Sequence, residues 1–152
     1  MGIPVFYADE ETKKLYDSEI VLSFFKQNYG DSFFTNQKLD ISKLADYIFK
    51  NDKNRKEIET FIHPLVMQQF DAWATQQSSN IVMLESAIIF EAALEKFFDK
   101  IIVVDAPIAV RMKRIKDRNP HLSESEILHR INVQIPQEEK CKRGDLVIDN
   151  SD

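Results

Sequence analysis

Asp9 stands at the end of the apolar run Ile3–Tyr7 and opens the polar stretch Glu10-Glu11-Thr12, where a strand hands over to a helix. A carboxylate at such a junction can take a proton from a substrate hydroxyl, or orient that hydroxyl for attack on phosphorus. It can also do no more than cap the free backbone amides of a helix start. Arg111, Lys113, Arg114, Lys116 and Arg118 form the densest basic cluster of an acidic chain. On a helix, Arg111, Arg114 and Arg118 share a face by three- and four-residue spacing. Guanidinium groups so placed grip phosphate oxygens and neutralise charge that develops in transfer. The plain alternative is a solvated helix face; the acidic remainder of the chain and the Asn119-Pro120 break that follows favour a functional one. His63, between Ile62 and Pro64, is a lone histidine of the kind that more often packs than catalyses, and no Asp or Ser at recognisable spacing completes a triad. No His/Cys/carboxylate set has zinc-like spacing, so no metal ligands are assigned.

These residues need elements to hold them. Ile3–Tyr7, Ile81–Leu84, Ile101–Val104 and Leu146–Ile148 are apolar runs of strand length. The last three are continuous, which predicts strands buried on both faces, as in a parallel sheet. Between them lie helical patterns: Glu10–Tyr29, stopped by Gly30; a helix capped by Asp40 with Ile41, Leu44, Ala45, Ile48 and Phe49 as its apolar positions; and Lys53–Gln77, kinked or broken by Pro64. Phe33–Leu39 suits a small hairpin. Ala92–Phe98, Ala109–Arg118 and Ser123–Val133 follow, the last with a capping box at Ser123 and Glu126. Strands alternating with helices predict an α/β layered fold, with ligands at the carboxyl ends of the strands. Polar residues stand at those ends: Asp9, then Glu85-Ser86 leading to Phe90-Glu91, then Asp149-Asn150. Asp105-Ala106-Pro107 is the weaker case, because Pro107 suits the first position of the next helix.

The chain has 152 residues and a formal net charge of -5, with 43% hydrophobic and 30% charged residues. That suits one compact domain and argues against disorder. An acidic chain gains nothing from a polyphosphate backbone, so nucleic acid is excluded as a general partner, while a small anionic ligand on a local basic cluster is not. Cys141 is the single cysteine, an incidental thiol that suits a reducing compartment. No run reaches the length of a membrane span and no signal peptide is visible, so the expected place is the cytoplasm.

Taken together, these stretches resemble the dephospho-coenzyme A kinase family, a branch of the P-loop, nucleoside-monophosphate-kinase-like fold. Gly2–Asp9 is similar to the family's second strand with its Asp-Ala-Asp motif, and Leu44–Phe49 to its Leu-x-x-x-Ile/Val-Phe helix. Ile62-His63-Pro64-Leu65 is similar to its Leu/Ile-His-Pro signature, Ala87-Ile88-Ile89-Phe90-Glu91 to its Pro-Leu-Leu-Phe-Glu motif, and Leu146–Asn150 to its terminal Val-Ile-Asn/Asp-Asn strand. The resemblance implies transfer of the γ-phosphate of ATP, as a magnesium complex, to the ribose 3′-hydroxyl of dephospho-coenzyme A, the last step of coenzyme A biosynthesis. It implies Asp9 as general base and Arg114 and Arg118 as lid arginines on the transferring phosphates, Arg114 as a catalytic residue and Arg118 as one that binds the substrate. His63 and Glu91 then stand on the acceptor side and Asn150 near the nucleotide base. It further implies a helical acceptor-side insertion at about 31–78 and a lid at about 111–135 within one kinase-like domain, 1–152.

The sequence departs from the family at three places. Tyr7 replaces the first Asp of Asp-Ala-Asp and Ala87 replaces the motif proline. The family's first strand and its Gly-x-x-x-x-Gly-Lys-Ser/Thr loop are absent: the chain has only Gly2, Gly30 and Gly144, none in that pattern. Without that loop the phosphates lose their cradle of backbone N–H groups, and Mg²⁺ loses its hydroxyl. A truncated or misassigned gene product and a genuine reduced protein both fit, the first favoured because the other motifs are intact. Either way, two strands lose a central pairing partner and expose apolar surface, which a shifted sheet or a homo-oligomer can cover. The chain is then expected to be inactive alone. The alternatives are a non-catalytic module that binds coenzyme A or nucleotide, and a kinase of another small acceptor such as a nucleoside monophosphate.

Overall fold

The computed structural model describes residues 2–152, apart from the side chains of residues 49, 50 and 52, so the expected apolar position at Phe49 lies outside the described side chains. The chain forms two compact units, Met1–Ser86 and Ala87–Asp152.

In the first unit, β1 (Val5–Tyr7) runs straight into α1 (Ala8–Leu15), followed by α2 (Glu19–Tyr29), the hairpin β2 (Phe34–Thr35) and β3 (Lys38–Leu39), α3 (Ile41–Lys50), α4 (Asp52–Ala74) and β4 (Met83–Glu85). β1 and β4 pair in parallel, Val5 opposite Met83 and Tyr7 opposite Glu85. The single helix expected over Glu10–Tyr29 is two helices. Leu15 and Val21 are both buried, yet six residues of one helix turn through about 240° away from a common face. The break at Tyr16–Ser18 re-aims α2 so that Val21 and Phe25 reach the core. Gly30 ends α2 at φ 60°, a conformation that favours glycine. Asp40 caps α3 by accepting from the amides of Ser42 and Lys43. Pro64 does not break its helix: α4 continues from Asp52 to Ala74. Ile58, Ile62, Val66 and Phe70 repeat every fourth residue and are all buried, and that stripe outweighs one missing backbone donor. Phe6 packs against Phe70 and Trp73, while Phe24 stacks on Phe61 and Phe25, Tyr29, Phe33 and Tyr47 form an edge-to-face cluster.

In the second unit, β5 (Ile102–Asp105) leads to α5 (Ile108–Arg118), α6 (Glu124–Asn132), α7 (Gln137–Arg143) and β6 (Leu146–Asp149). β5 and β6 pair in parallel, Ile102 opposite Leu146 and Asp105 opposite Asp149. The Ser123–Glu126 capping box forms at α6 as expected. Pro107 is the cap of α5 rather than its first helical residue. Ala92–Phe98 is not an α-helix but turns followed by a 3₁₀ turn over Glu95–Phe97, because Ala93 adopts a left-handed conformation at φ 52°.

The strands are thus paired two and two, with their outer edges unpaired among the described residues. Burial on both faces does not hold. Ile102, Val104, Leu146 and Ile148 share one face of the β5–β6 pair and are 43%, 56%, 54% and 46% exposed. A continuous apolar run states that both faces are apolar, and covering them takes further layers. On the opposite face Val103 is buried. A Cβ on Gly144 would lie 2.6 Å from Val103 Cγ2, so the backbone after α7 presses onto β5 only because that residue is glycine.

Candidate functional site

The first unit presents carboxylates where a parallel pair ends. Helix α1 starts at Ala8 with Tyr7 as its cap and no side-chain cap bond, so Asp9 does not cap the helix. It lies in the exposed first turn beside Glu10 and Glu11. Asp9 has no hydrogen-bond or ion-pair partner among the described residues, which leaves both oxygens open as acceptors. Glu85, opposite Tyr7 in the ladder, feels this charge: partial burial, then the negative charges of Asp9 and Glu10, raise its pKa above the ordinary carboxylate range. Asp9 and Glu85 therefore form an acidic corner at the carboxyl ends of β1 and β4. Sequence reasoning named Glu85 at a strand end and left it out of the site. The available signal was its pairing with the strand that carries Asp9.

His63 lies half-buried on α4, one turn after Glu59. Burial lowers its pKa below the usual value, against the pull of Glu59, so it is a neutral imidazole at neutral pH. An open depression of about 610 Å³ beside α2 and the hairpin is lined by Leu22, Lys26, Phe34, Asn36 and Gln37 among others, and holds none of the predicted residues.

In the second unit the α5 cations divide by role. Arg111 Nε donates to the Ala106 carbonyl at 3.0 Å. Arg114 donates to the Asn150 carbonyl at 2.8 Å and to that of Asp152. Lys116 donates to the carbonyls of Pro120, at 2.9 Å, and Leu122, pinning the turn between α5 and α6. Arg118 is exposed and has no partner among the described residues. The structure thus brings Arg114 and Asn150 together at the end of β6, and leaves Arg118 as the open guanidinium of the predicted trio.

Glu91 is engaged. Its Oε1 lies 2.6 Å from Lys140 Nζ and accepts the Ile135 amide at 3.0 Å; its Oε2 is buried without a partner. Lys140 carried no sequence signal, because within Lys140-Cys141-Lys142-Arg143 it looks like part of a solvated run.

Among the described residues, no group of three or more His, Cys, Asp or Glu side chains can hold a metal ion. The glycines are committed elsewhere or lie open, Gly30 at a helix end and Gly144 against Val103. No described helix is long and apolar enough to cross a membrane.

Parallel strand pairs, flanking helices and polar residues at the strand ends of each unit make this an α/β protein and fit the P-loop NTPase-like class. The comparisons narrow that class. The family profile described as dephospho-CoA kinase matches residues 1–152. A dephospho-CoA kinase of Bacteroides fragilis is 33% identical over 152 residues, which cover 99% of this chain and 74% of the relative. The crystal structure of TT1252 from Thermus thermophilus superposes with a TM-score of 0.87 at 28% identity, covering 99% of this chain and 77% of that one. The dephospho-CoA kinase from Campylobacter jejuni gives 0.61 at 25% identity, with the same coverage. The chain belongs to the dephospho-CoA kinase family, whose members are phosphotransferases that take ATP and dephospho-CoA as substrates.

Proposed function

We propose that this chain carries the acceptor side of a dephospho-CoA kinase and does not transfer phosphate on its own. The observation that carries this reading is the free carboxylate of Asp9 at the carboxyl end of β1, in a chain with no Gly-x-x-x-x-Gly-Lys-Ser/Thr loop. In the reaction of the family, Asp9 takes the proton of the ribose 3′-hydroxyl, and that oxygen attacks the γ-phosphorus of ATP. The bond from phosphorus to the bridging oxygen breaks and ADP leaves. Arg118, with no partner among the described residues, is suited to the transferring phosphates and to the diphosphate of dephospho-CoA, and Arg114 joins α5 to the strand end that carries Asn150, near the nucleotide base. Neutral His63 is an uncharged donor or acceptor for the acceptor substrate. Residues of about 31–78 form the acceptor-side insertion and those of about 111–135 the lid of one kinase-like domain.

Among the described residues no group of three or more His, Cys, Asp or Glu could hold a metal ion, and Mg²⁺ would enter with ATP as its complex. Without loop amides and a loop Lys around the β- and γ-phosphates, charge developing in transfer has no preorganised donors, and turnover fails. The unpaired strand edges fit pairing with a second copy in a homo-oligomer. A reaction that consumes ATP goes with action in the cytoplasm.

A coupled ADP-release assay with ATP, Mg²⁺ and dephospho-CoA tests the reading; robust turnover by the chain alone refutes inactivity. The second reading, a non-catalytic module that binds coenzyme A or nucleotide, is favoured by the retained His63, Arg114 and Arg118. A substrate panel separates both from a kinase of another small acceptor.

A further inference from the structure

We propose that Lys140 is a positioning residue for the arginine-bearing hairpin α5–α6: through Glu91 and Gln134 it fixes the link Val133–Pro136 at which α6 ends. Lys140 is 8% exposed, the one buried charged residue among those described. An ammonium group has three donors; here it donates to the Ala87 carbonyl at 2.9 Å and to Gln134 Oε1 at 3.2 Å, and its charge is paired with Glu91 Oε1 at 2.6 Å. A buried charge is tolerated when it is paired and fully hydrogen-bonded, and is costly otherwise.

The acceptors sit in irregular backbone. Ala87 and Glu91 belong to the turns that open the second unit, and Gln134 belongs to the link between α6 and α7. Glu91 Oε1 also accepts the amide of Ile135, so one carboxylate oxygen ties Lys140 to the next residue of the link. The other oxygen is buried without a partner, which makes Lys140 the only neutralising contact of that carboxylate among the described residues. Helix α7 is itself a fixed post. Gln137 Nε2 donates to the Val104 carbonyl at 3.0 Å, Gly144 is pressed against Val103, and the Arg143 guanidinium lies 4.5 Å over the Phe90 ring while pairing with Glu95. Lys140 transmits that rigidity to the link, and α6 carries it to α5, to which Lys116 pins the intervening turn. The end of α5 bears Arg118. Glu91 thus acts on the site through the backbone that it holds.

The functional consequence rests on the phosphotransferase reading; the anchoring does not. Lys140→Met leaves Glu91 charged and unpaired and endangers the fold, so the double variant Glu91→Gln/Lys140→Met carries the test, with Lys140→Arg as the conservative variant. Hydrogen exchange of the peptide spanning 133–136, circular dichroism and calorimetric titration with dephospho-CoA are read on each. The double variant is expected to keep native helicity, to exchange at 133–136 about tenfold or more faster, and to bind dephospho-CoA about tenfold or more weakly. Lys140→Arg is expected to recover part of both. A double variant that exchanges and binds like the parent overturns the proposal, and one that fails to fold overturns it in favour of a purely structural pair. If the parent chain itself gives no heat with dephospho-CoA, the functional reading falls, and the exchange pattern alone decides the role of Lys140.

Discussion

Pro64→Ala is expected to stabilise the first unit. Pro64 lies inside α4, where a proline removes one backbone donor and crowds the carbonyl four residues back, here that of Thr60. Pro64 and Thr60 are both exposed, opposite the buried stripe Ile58, Ile62, Val66 and Phe70. Proline in a helix interior costs about 3 kcal/mol relative to alanine. Solvation of the freed Thr60 carbonyl reduces that cost to about 2 kcal/mol. Alanine also gives the unfolded chain more freedom, which takes back about 0.4–1 kcal/mol. The net gain is about 1–2 kcal/mol. With a urea m-value of about 2 kcal/mol/M, the midpoint rises by about 0.5–1 M. Trp73, the single tryptophan, lies on α4 and packs on Phe6 and Phe70, so its fluorescence reports on this unit. A loss of stability would refute the reasoning, because it would mean that the packing of α4 is built on a bend at residue 64. A gain in stability with weaker dephospho-CoA binding would show that Pro64 is kept for the placement of His63.

Four further outcomes are expected. Gly144→Ala destabilises the second unit by about 1–2 kcal/mol, because its Cβ meets the buried Val103, and Val103→Ala in the same chain restores most of the loss; a stabilised Gly144→Ala would contradict the close approach. The raised pKa of Glu85 means that the folded chain holds this proton more tightly than the unfolded one. That contribution is fully present below the ordinary carboxylate range and is lost as pH rises through the raised value. Asp9→Asn removes one of the charges responsible, so urea midpoints taken between about pH 4 and about pH 7 should fall less steeply in the variant. Arg118→Ala, which removes no hydrogen bond or ion pair among the described residues, leaves stability within about 0.5 kcal/mol and weakens dephospho-CoA binding. Arg114→Ala loses its carbonyl contacts at the end of β6 and costs up to about 1 kcal/mol, discounted for their exposure.

Local rules were legible in the sequence. Asp40, Gly30 and the Ser123–Glu126 box act within one turn of their own positions, and each forms as its residue type dictates. The strand-end placement of Asp9 was equally legible, while its freedom from capping depended on α1 starting at Ala8, two residues before the expected Glu10. Features set by tertiary contact were not legible. The break between α1 and α2 follows from the phase of Leu15 against Val21. The exposure of Ile102 and Val104 follows from what covers a sheet, which a strand cannot state. Lys140 reads as one of several adjacent cations, and only the fold reveals that its ammonium points inward to Glu91, Ala87 and Gln134. The three arginines of α5 were legible as a set on one face. Their division into Arg111 and Arg114, held by carbonyls, and Arg118, left open, required the positions of Ala106 and Asn150.

The central claim is that the acceptor side of a dephospho-CoA kinase persists in a chain without the phosphate loop. Calorimetric titration of the parent chain with dephospho-CoA, repeated on Arg118→Ala, tests it most directly. Saturable heat from the parent that Arg118→Ala diminishes is the predicted result. No heat from the folded parent chain, or heat that Arg118→Ala leaves unchanged, would contradict it.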